Sequence, residues 1–308
     1  MGKLWAITSY YNPASYQRKL QNYRLFKTKL EEQGIPLLTI EVSYDGKFDL
    51  DHQENTIFLN GKSILWQKER ILNLSENYLP NDCDRVVWLD CDILFESSGW
   101  AKATSHLLDE FPLVQPFSEV IRLPIDHTWY QKEGEKWNSF AYIYQSKPQE
   151  CLFGDFDRHG HSGFAWAARR EILNVGLYDA CIIGSGDHVM SHAFVGDWDS
   201  PCIYRVLGRK GNHLRHFLDW SKRIYPLIRG KVGCLPGRIF HLWHGETVNR
   251  KYVSRNKKLY ELGFDPYKDI KIGKNGLWEW NSPKEEMHKW MIDYFQERQE
   301  DTENVRVS

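Results

Sequence analysis

Asp90-Cys91-Asp92 carries the most pointed chemistry in the chain. In an extended segment, residues two apart project to the same side. Two carboxylates held there repel each other unless a cation stands between them. Such a pair of oxygen ligands suits a hard divalent ion, Mn2+ or Mg2+. An ion of that kind bridges phosphate oxygens and stabilises charge on a departing phosphate. The chain holds five Asp-x-Asp pairs, at 49/51, 82/84, 90/92, 155/157 and 197/199. Only 90/92 directly follows a strong apolar run, Arg85-Val86-Val87-Trp88-Leu89, whose β-branched and aromatic residues read as a strand. The bland alternative, two acids capping a turn, leaves their repulsion unanswered.

A strand-end site needs a sheet to hold it. Residues 4–9 read as a buried strand, broken by a loop at Tyr10-Tyr11-Asn12-Pro13. Ser15 then caps a helix over 16–33, which Gly34 ends. Residues 36–42 and 57–59 read as strands, with a turn at Asp45-Gly46. Ser63 opens a helix whose apolar positions keep helical spacing to Tyr78. Residues 93–95 continue extended, 99–109 read as helix and 113–117 as strand. This alternation predicts an α/β sheet with much parallel character, and ligands of open α/β sheets sit at the carboxyl ends of strands. Residues 118–160 read as irregular. Then follow a helix over 169–175, a short strand at Ile182-Ile183, a helix over 188–195 and a strand over 238–242. An amphipathic helix spans 284–298, ahead of a frayed polar end. The expected organisation is one domain over 1–245, with halves 1–117 and 118–245, and a C-terminal extension over 246–308.

Composition bounds the function. With 42% hydrophobic and 26% charged residues, the 308-residue chain has the balance of a folded globular protein. A net charge of -1 gives no global reason to expect nucleic acid or an anionic membrane as partner. Aromatic residues reach 14%, which fills cores and also offers faces for stacking on sugars. The six cysteines include no CxxC pair, which excludes zinc-ribbon and thioredoxin-like motifs. The N-terminal residues lack an apolar signal core, and no apolar run nears the roughly 20 residues of a membrane span. A reduced, cytoplasmic protein is therefore expected. No G-x-G-x-x-G follows the first strand, and neither a Walker A motif nor a G-x-S-x-G elbow occurs.

The run Ile64-Leu65-Trp66-Gln67-Lys68, with Leu79-Pro80 and the strand ending in Asp90-Cys91-Asp92, resembles the nucleotide-sugar half of GT-A glycosyltransferases. The resemblance implies a Rossmann-like mixed sheet flanked by helices, with the DxD holding Mn2+ or Mg2+ on a donor diphosphate. By position it implies donor contacts from Thr8, Ser9, Tyr10, Tyr11, Asn12, Asp45, Gln67, Lys68, Asp90 and Cys91. The stretch 160–170, Leu177-Tyr178-Asp179 and Ile183-Gly184-Ser185-Gly186-Asp187-His188 are similar to the acceptor half of galactosyltransferase-like and polypeptide N-acetylgalactosaminyltransferase-like enzymes. That likeness implies acceptor or sugar contacts from Gly163, Phe164, Trp166, Gly186 and His188, and a catalytic carboxylate, the base, at Asp187. One Asp followed by His stands here where those enzymes carry a longer acidic cluster. His241-Leu242-Trp243-His244 matches the late histidine that serves several GT-A families as a further metal ligand, with His241 and His244 both open as that ligand. Arg250 and Arg255 follow it where a donor-covering segment lies in such enzymes.

These resemblances imply a hexosyltransferase that takes a nucleotide-sugar, a UDP-sugar in kind, and joins the sugar to a carbohydrate or other hydroxyl-bearing acceptor with inversion. Asp187 has a second reading as a plain helix cap. His159 and His161 beside Asp155 and Asp157 make a further conceivable metal cluster, although no strand end or helix face organises the four. The basic stretch from Lys210 to Arg238 is either solvated surface or a wall for anions. Two other functions compete: a nucleotidyltransferase, and a non-catalytic carbohydrate-binding protein of transferase fold.

Overall fold

Nine residues, Lys3–Tyr11, run as the first strand of a mixed α/β fold, β1. Further strands follow in chain order: β2 (Leu37–Ser43), β3 (Thr56–Asn60), β4 (Cys83–Leu89), β5 (Ile93–Phe95) and β6 (Leu113–Gln115). Then come β7 (Glu119–Arg122), β8 (Glu135–Asn138), β9 (Ala165–Arg169), β10 (Val232–Cys234) and β11 (Arg238–His241). A small hairpin, β12 (Ile270–Ile272) with β13 (Trp278–Trp280), completes the set. The structure, a computed structural model, describes residues 3–152 and 158–301. Asp155 and Asp157, of the conceivable His159 and His161 cluster, lie outside the described residues.

The central sheet has the order β10-β6-β9-β4-β1-β2-β3. It is parallel except at β9, which runs antiparallel to both β4 and β6. Side chains alternate across it. Ile7 and Tyr11 pack on one face with Ile71, Leu72, Phe194 and Phe217 from the helices Lys68–Ser75, Gly186–Phe194 and Asn212–Ile228. Ala6 and Tyr10 pack on the other with Tyr23, Phe26 and Leu108 from the helices Gln17–Glu32 and Trp100–Glu110. Helices thus flank both faces, and each fully buried Ile, Leu or Phe contributes about 1.5–3 kcal/mol. A second sheet, β5-β11-β7-β8, stands beside the first. No helix of the described residues is long and apolar enough to cross a membrane.

Several local expectations are corrected. Tyr10 and Tyr11 belong to β1, not to a loop. Ser15 does not cap the first helix; its φ is 56°, and the helix starts at Gln17. The second helix starts at Lys68, not Ser63. Ser63 Oγ accepts the Trp280 N–H, and Gln67 Oε1 accepts that of Trp278, so the hairpin holds 63–67 out of helical form. The segment 118–160 is not irregular throughout: it contains β7, β8 and the helices Phe140–Ser146 and Pro148–Leu152. Residues 170–174 form a 3-10 turn, and Ile182 makes only an isolated bridge to Gly184.

Candidate active site

The chain leaves the central sheet at Leu89 and enters the second sheet at Ile93, so Asp90-Cys91-Asp92 is the joint between them. The Asp90 N–H donates to the Phe164 carbonyl (2.7 Å), and the Leu242 N–H donates to the Asp92 carbonyl (2.9 Å). Antiparallel pairing of β5 with β11 sets His241 opposite Ile93. Sheet register therefore carries a histidine from far along the chain to the side of Asp92.

Around Asp92 the groups crowd. Its Oδ2 is 3.0 Å from His244 Nε2, and its Oδ1 is 3.7 Å from His241 Nε2. The two Nε2 atoms are 3.0 Å apart. His244 Nδ1 lies 3.3 Å from Glu300 Oε1. Burial would raise the Glu300 carboxyl, but Arg298 outweighs it and keeps the acid ionised. An ionised acceptor there assigns the His244 proton to Nδ1, which leaves the Nε2 lone pair facing the Asp92 carboxylate and the Arg250 guanidinium. Burial, then Arg250, pushes His244 down to about 3; burial, then His244, holds His241 well below the usual histidine range. Burial, then Asp90, pushes Asp92 up to about 7 against the pull of Arg250 and Lys19. Asp92 Oδ1 is buried with no hydrogen-bond partner among the described residues. Two neutral imidazoles and a carboxylate whose charge is poorly compensated form a group that could hold a divalent metal ion.

Asp90 has a different partner. Lys68 Nζ stands 2.6 Å from Asp90 Oδ1 and 3.8 Å from Asp187 Oδ2. Burial alone would lower the Lys68 ammonium, but Asp90 and Asp187 outweigh it and hold it above its ordinary value. Asp187 sits in the first turn of Gly186–Phe194, after Gly184 (φ 93°) and Ser185 (φ 72°). Its Oδ1 accepts only the adjacent His188 N–H, at 2.9 Å, and the cap position itself is Ser185. A Cβ at position 163 would collide with Asp187 Oδ2, so Gly163 is what lets this carboxylate approach β9. Glu69 lies under Gly186, and burial, opposed by Lys68, pushes it up to about 8.

The facing wall is basic. Arg250, Arg255 and Arg298 are nearly buried, and Lys19 and Arg122 join them around one cavity of about 340 Å³. Arg250 Nη2 is 2.7 Å from His244 Nε2, and its Nη1 donates to the Tyr252 hydroxyl (3.1 Å). Arg255 Nη2 donates to Ser185 Oγ (3.0 Å). Arg250 Nε and Arg255 Nε find no acceptor among the described residues. Burial would raise the Tyr252 phenol, yet Arg250, Arg255 and Arg122 together bring it below its ordinary value. Such a field favours an anion in the cavity.

Of the residues singled out in the sequence, Ser9, Tyr11, Lys68, Asp90, Cys91, Asp92, Phe164, Asp187, His188, His241, His244, Arg250 and Arg255 line this cavity. Others do not. Because β1 runs on to Tyr11, its alternation sends Thr8 and Tyr10 to the opposite side: Thr8 Oγ1 donates to the Leu89 carbonyl and Tyr10 to Asp49. Asn12 also donates to Asp49, and Asp45 accepts from Ser43 and Lys47 in an exposed turn. Gln67 is buried against the hairpin, Trp166 lies in the core with its Nε1–H on the Ser162 carbonyl, and Gly186 packs on Glu69. Sequence reading missed Lys19, Arg122, Arg298 and Glu300. Arg298 falls at the end of the expected final helix and Glu300 in the expected frayed end, and both are buried.

No family model and no curated protein matches the chain. Solved structures do. The catalytic domain of Drosophila beta1,4galactosyltransferase 7 is 12% identical at a TM-score of 0.29, over 62% of this chain and 60% of that one. This chain thus spans about 60% of the length of that galactosyltransferase structure. The inositol-1-phosphate CTP transferase from T. maritima is 12% identical at a TM-score of 0.40, over 83% and 97%. The 4-diphosphocytidyl-2C-methyl-D-erythritolsynthase from Anaerococcus prevotii is 11% identical at a TM-score of 0.35, over 77% and 89%. Function is therefore read from the side chains of the cavity.

Proposed function

We propose that the chain is a metal-dependent glycosyltransferase that moves a hexose or N-acetylhexosamine from a UDP-sugar to a hydroxyl acceptor, with inversion. One observation carries this reading: a carboxylate–histidine donor set, a third acid and an arginine wall face each other in a single cavity. Asp92, His241 and His244 would hold the ion, with Glu300 orienting His244. When bound, the ion neutralises charge on the leaving diphosphate. Arg250 and Arg255 offer fork-like donors to diphosphate oxygens, and Arg250, now against His244 Nε2, would turn its fork to the diphosphate if His244 held an ion. Lys68 fixes Asp90 and stands beside Asp187. Ser9, Tyr11 and Cys91 line the donor end, and Phe164 offers a face to the sugar. Asp187 takes the proton of the acceptor hydroxyl as it attacks the anomeric carbon. Residues 1–245 form the catalytic domain and 246–308 the C-terminal extension, whose Arg250, Arg255 and Arg298 supply the covering wall. The cysteines, none of them in a disulfide among the described residues, suit a reducing, cytoplasmic setting.

The test is a panel of nucleotide sugars with Mn2+, read by nucleotide release. Release of a nucleoside diphosphate, abolished by Asp92→Asn, is expected. Pyrophosphate released from a nucleoside triphosphate would establish a nucleotidyltransferase instead. Glycan binding without donor turnover would mark a non-catalytic binding protein.

A further inference from the structure

Beside the start of the Gly186–Phe194 helix, four buried side chains converge: His159, His188, His192 and Cys202. Their candidate ligand atoms all lie within 4.8 Å of one another. His188 and His192 are four apart on one helix and so share a face. Cys202 comes from the next helix, Pro201–Leu207, and His159 from the loop ahead of Gly160. The three ring centroids are 4.8, 5.2 and 5.5 Å apart.

The tautomers point the right way. His159 Nδ1 is 2.7 Å from the Gly160 carbonyl, an acceptor only, so the proton is on Nδ1 and Nε2 is the lone-pair nitrogen. His192 Nδ1 is 2.9 Å from Asp197 Oδ2, the carboxylate–imidazole pairing that orients metal-ligating histidines. His192 Nε2 is buried and has no hydrogen-bond partner among the described residues. Phe140 covers His192 and His159, with centroids at 5.5 and 5.8 Å.

We propose that His159, His188, His192 and Cys202 form a closed site for a borderline-soft divalent transition ion, zinc in kind, distinct from the Asp92–His241–His244 group. Three imidazoles and a thiolate suit zinc and disfavour the hard ions that oxygen ligands select. A tetrahedron with bonds of about 2.0–2.3 Å sets its ligands roughly 3.3–3.8 Å apart, so side-chain shifts of about 1 Å close it. Four protein ligands leave no open position, which defines a structural site. It would clamp two helices and a loop at the residue after Asp187.

The full-length chain, purified under reducing conditions with zinc and dialysed against a chelator, tests this by elemental analysis. One equivalent of zinc should remain, and should remain in Asp92→Asn, which disables only the other group. His192→Ala and Cys202→Ser should each fall to near zero, while Cys83→Ser keeps the ion. Because these variants can fail to fold, the wild-type chain is also reconstituted with Co2+ and its absorption recorded. A thiolate-to-cobalt charge-transfer band with tetrahedral d–d bands is expected. Folded wild-type protein that retains no ion and shows no such band overturns the site. So does a folded Cys202→Ser variant that keeps its full equivalent.

Discussion

The two walls of the cavity are built by opposite strategies. The acidic wall is local and rigid: Asp90 and Asp92 stand at the end of a central strand, and Asp187 at the start of a helix. The basic wall is assembled from afar, with Lys19 on the first helix, Arg122 on β7 and three arginines between 250 and 298. Sheet ladders fix the first wall; side-chain contacts fix the second, Arg255 through Ser185 and Arg298 through Glu300. A wall held by backbone presents groups at constant positions, and a wall held by side chains can exchange partners as an anion enters. Under the proposed function, changes in the acidic wall should strike chemistry and metal, and changes in the basic wall donor affinity.

The sharpest break is Asp187→Asn. Loss of the proposed base is expected to lower the transfer rate by about 10²–10⁴-fold, with donor affinity and melting temperature nearly unchanged. Rates within a few-fold of wild type would remove Asp187 from the chemistry, and a product of retained anomeric configuration would remove inversion. Glu300→Gln comes next, because it unties His244 without touching a ligand. Mn2+ affinity measured by calorimetry should fall about 10–100-fold. Arg250→Lys keeps the charge and loses the fork. UDP affinity should weaken roughly 10-fold while Mn2+ affinity alone stays level or rises, since the competing bond to His244 is weakened. Equal losses in both would merge the two walls into one unit.

The smallest effect is a pH dependence from Glu69. Its value in the fold, about 8, lies above the 4.5 of the free side chain. Between these values the folded protein holds a proton that the unfolded chain has released. The resulting stability is fully present below pH 4.5 and is lost as pH rises through about 8. Glu69→Gln should therefore raise the melting temperature at pH 9 by roughly 2–6 °C and change it by about 1 °C or less at pH 5. A wild-type melting temperature that holds level from pH 5 to pH 9 would sink this.

The same division explains what was legible in the sequence. The run Val86-Val87-Trp88-Leu89 announces a strand by residue type, and Asp90 and Asp92 then follow from position. The exact end of β1 was not legible: Tyr10 and Tyr11 suit a strand as well as a loop, and two residues decide which side chains face the ligand. The start of the second helix was misread because Ser63 is a good cap by type, yet its hydroxyl serves a hairpin more than 200 residues later. β8 was missed because Glu135, Lys136 and Asn138 are exposed and leave no apolar alternation. Arg298 and Glu300 look like solvated residues at a helix end and beyond it, and their mutual pairing, with His244, Tyr294 and Trp66 around them, makes their burial tolerable.

The first helix has no cap of its own, and what replaces it sets an order of events. The Gln17 and Arg18 N–H groups donate to the carboxylate of Asp301, 284 and 283 residues away. The Tyr16 hydroxyl reaches the carbonyls of Phe295 and Gln296 and accepts the Gln299 N–H. The first turn of the helix that bears Lys19 therefore gains its protein partners only when residues near 300 dock, and water serves its N–H groups until then. Closing so long a loop is entropically costly and comes late. A nascent chain halted before that point would carry the strand-end carboxylates but not Arg298 or Glu300. The arginine wall thus depends on residues near 300 as well as on the sheet, and a chain cut ahead of them lacks both Arg298 and its partner Glu300.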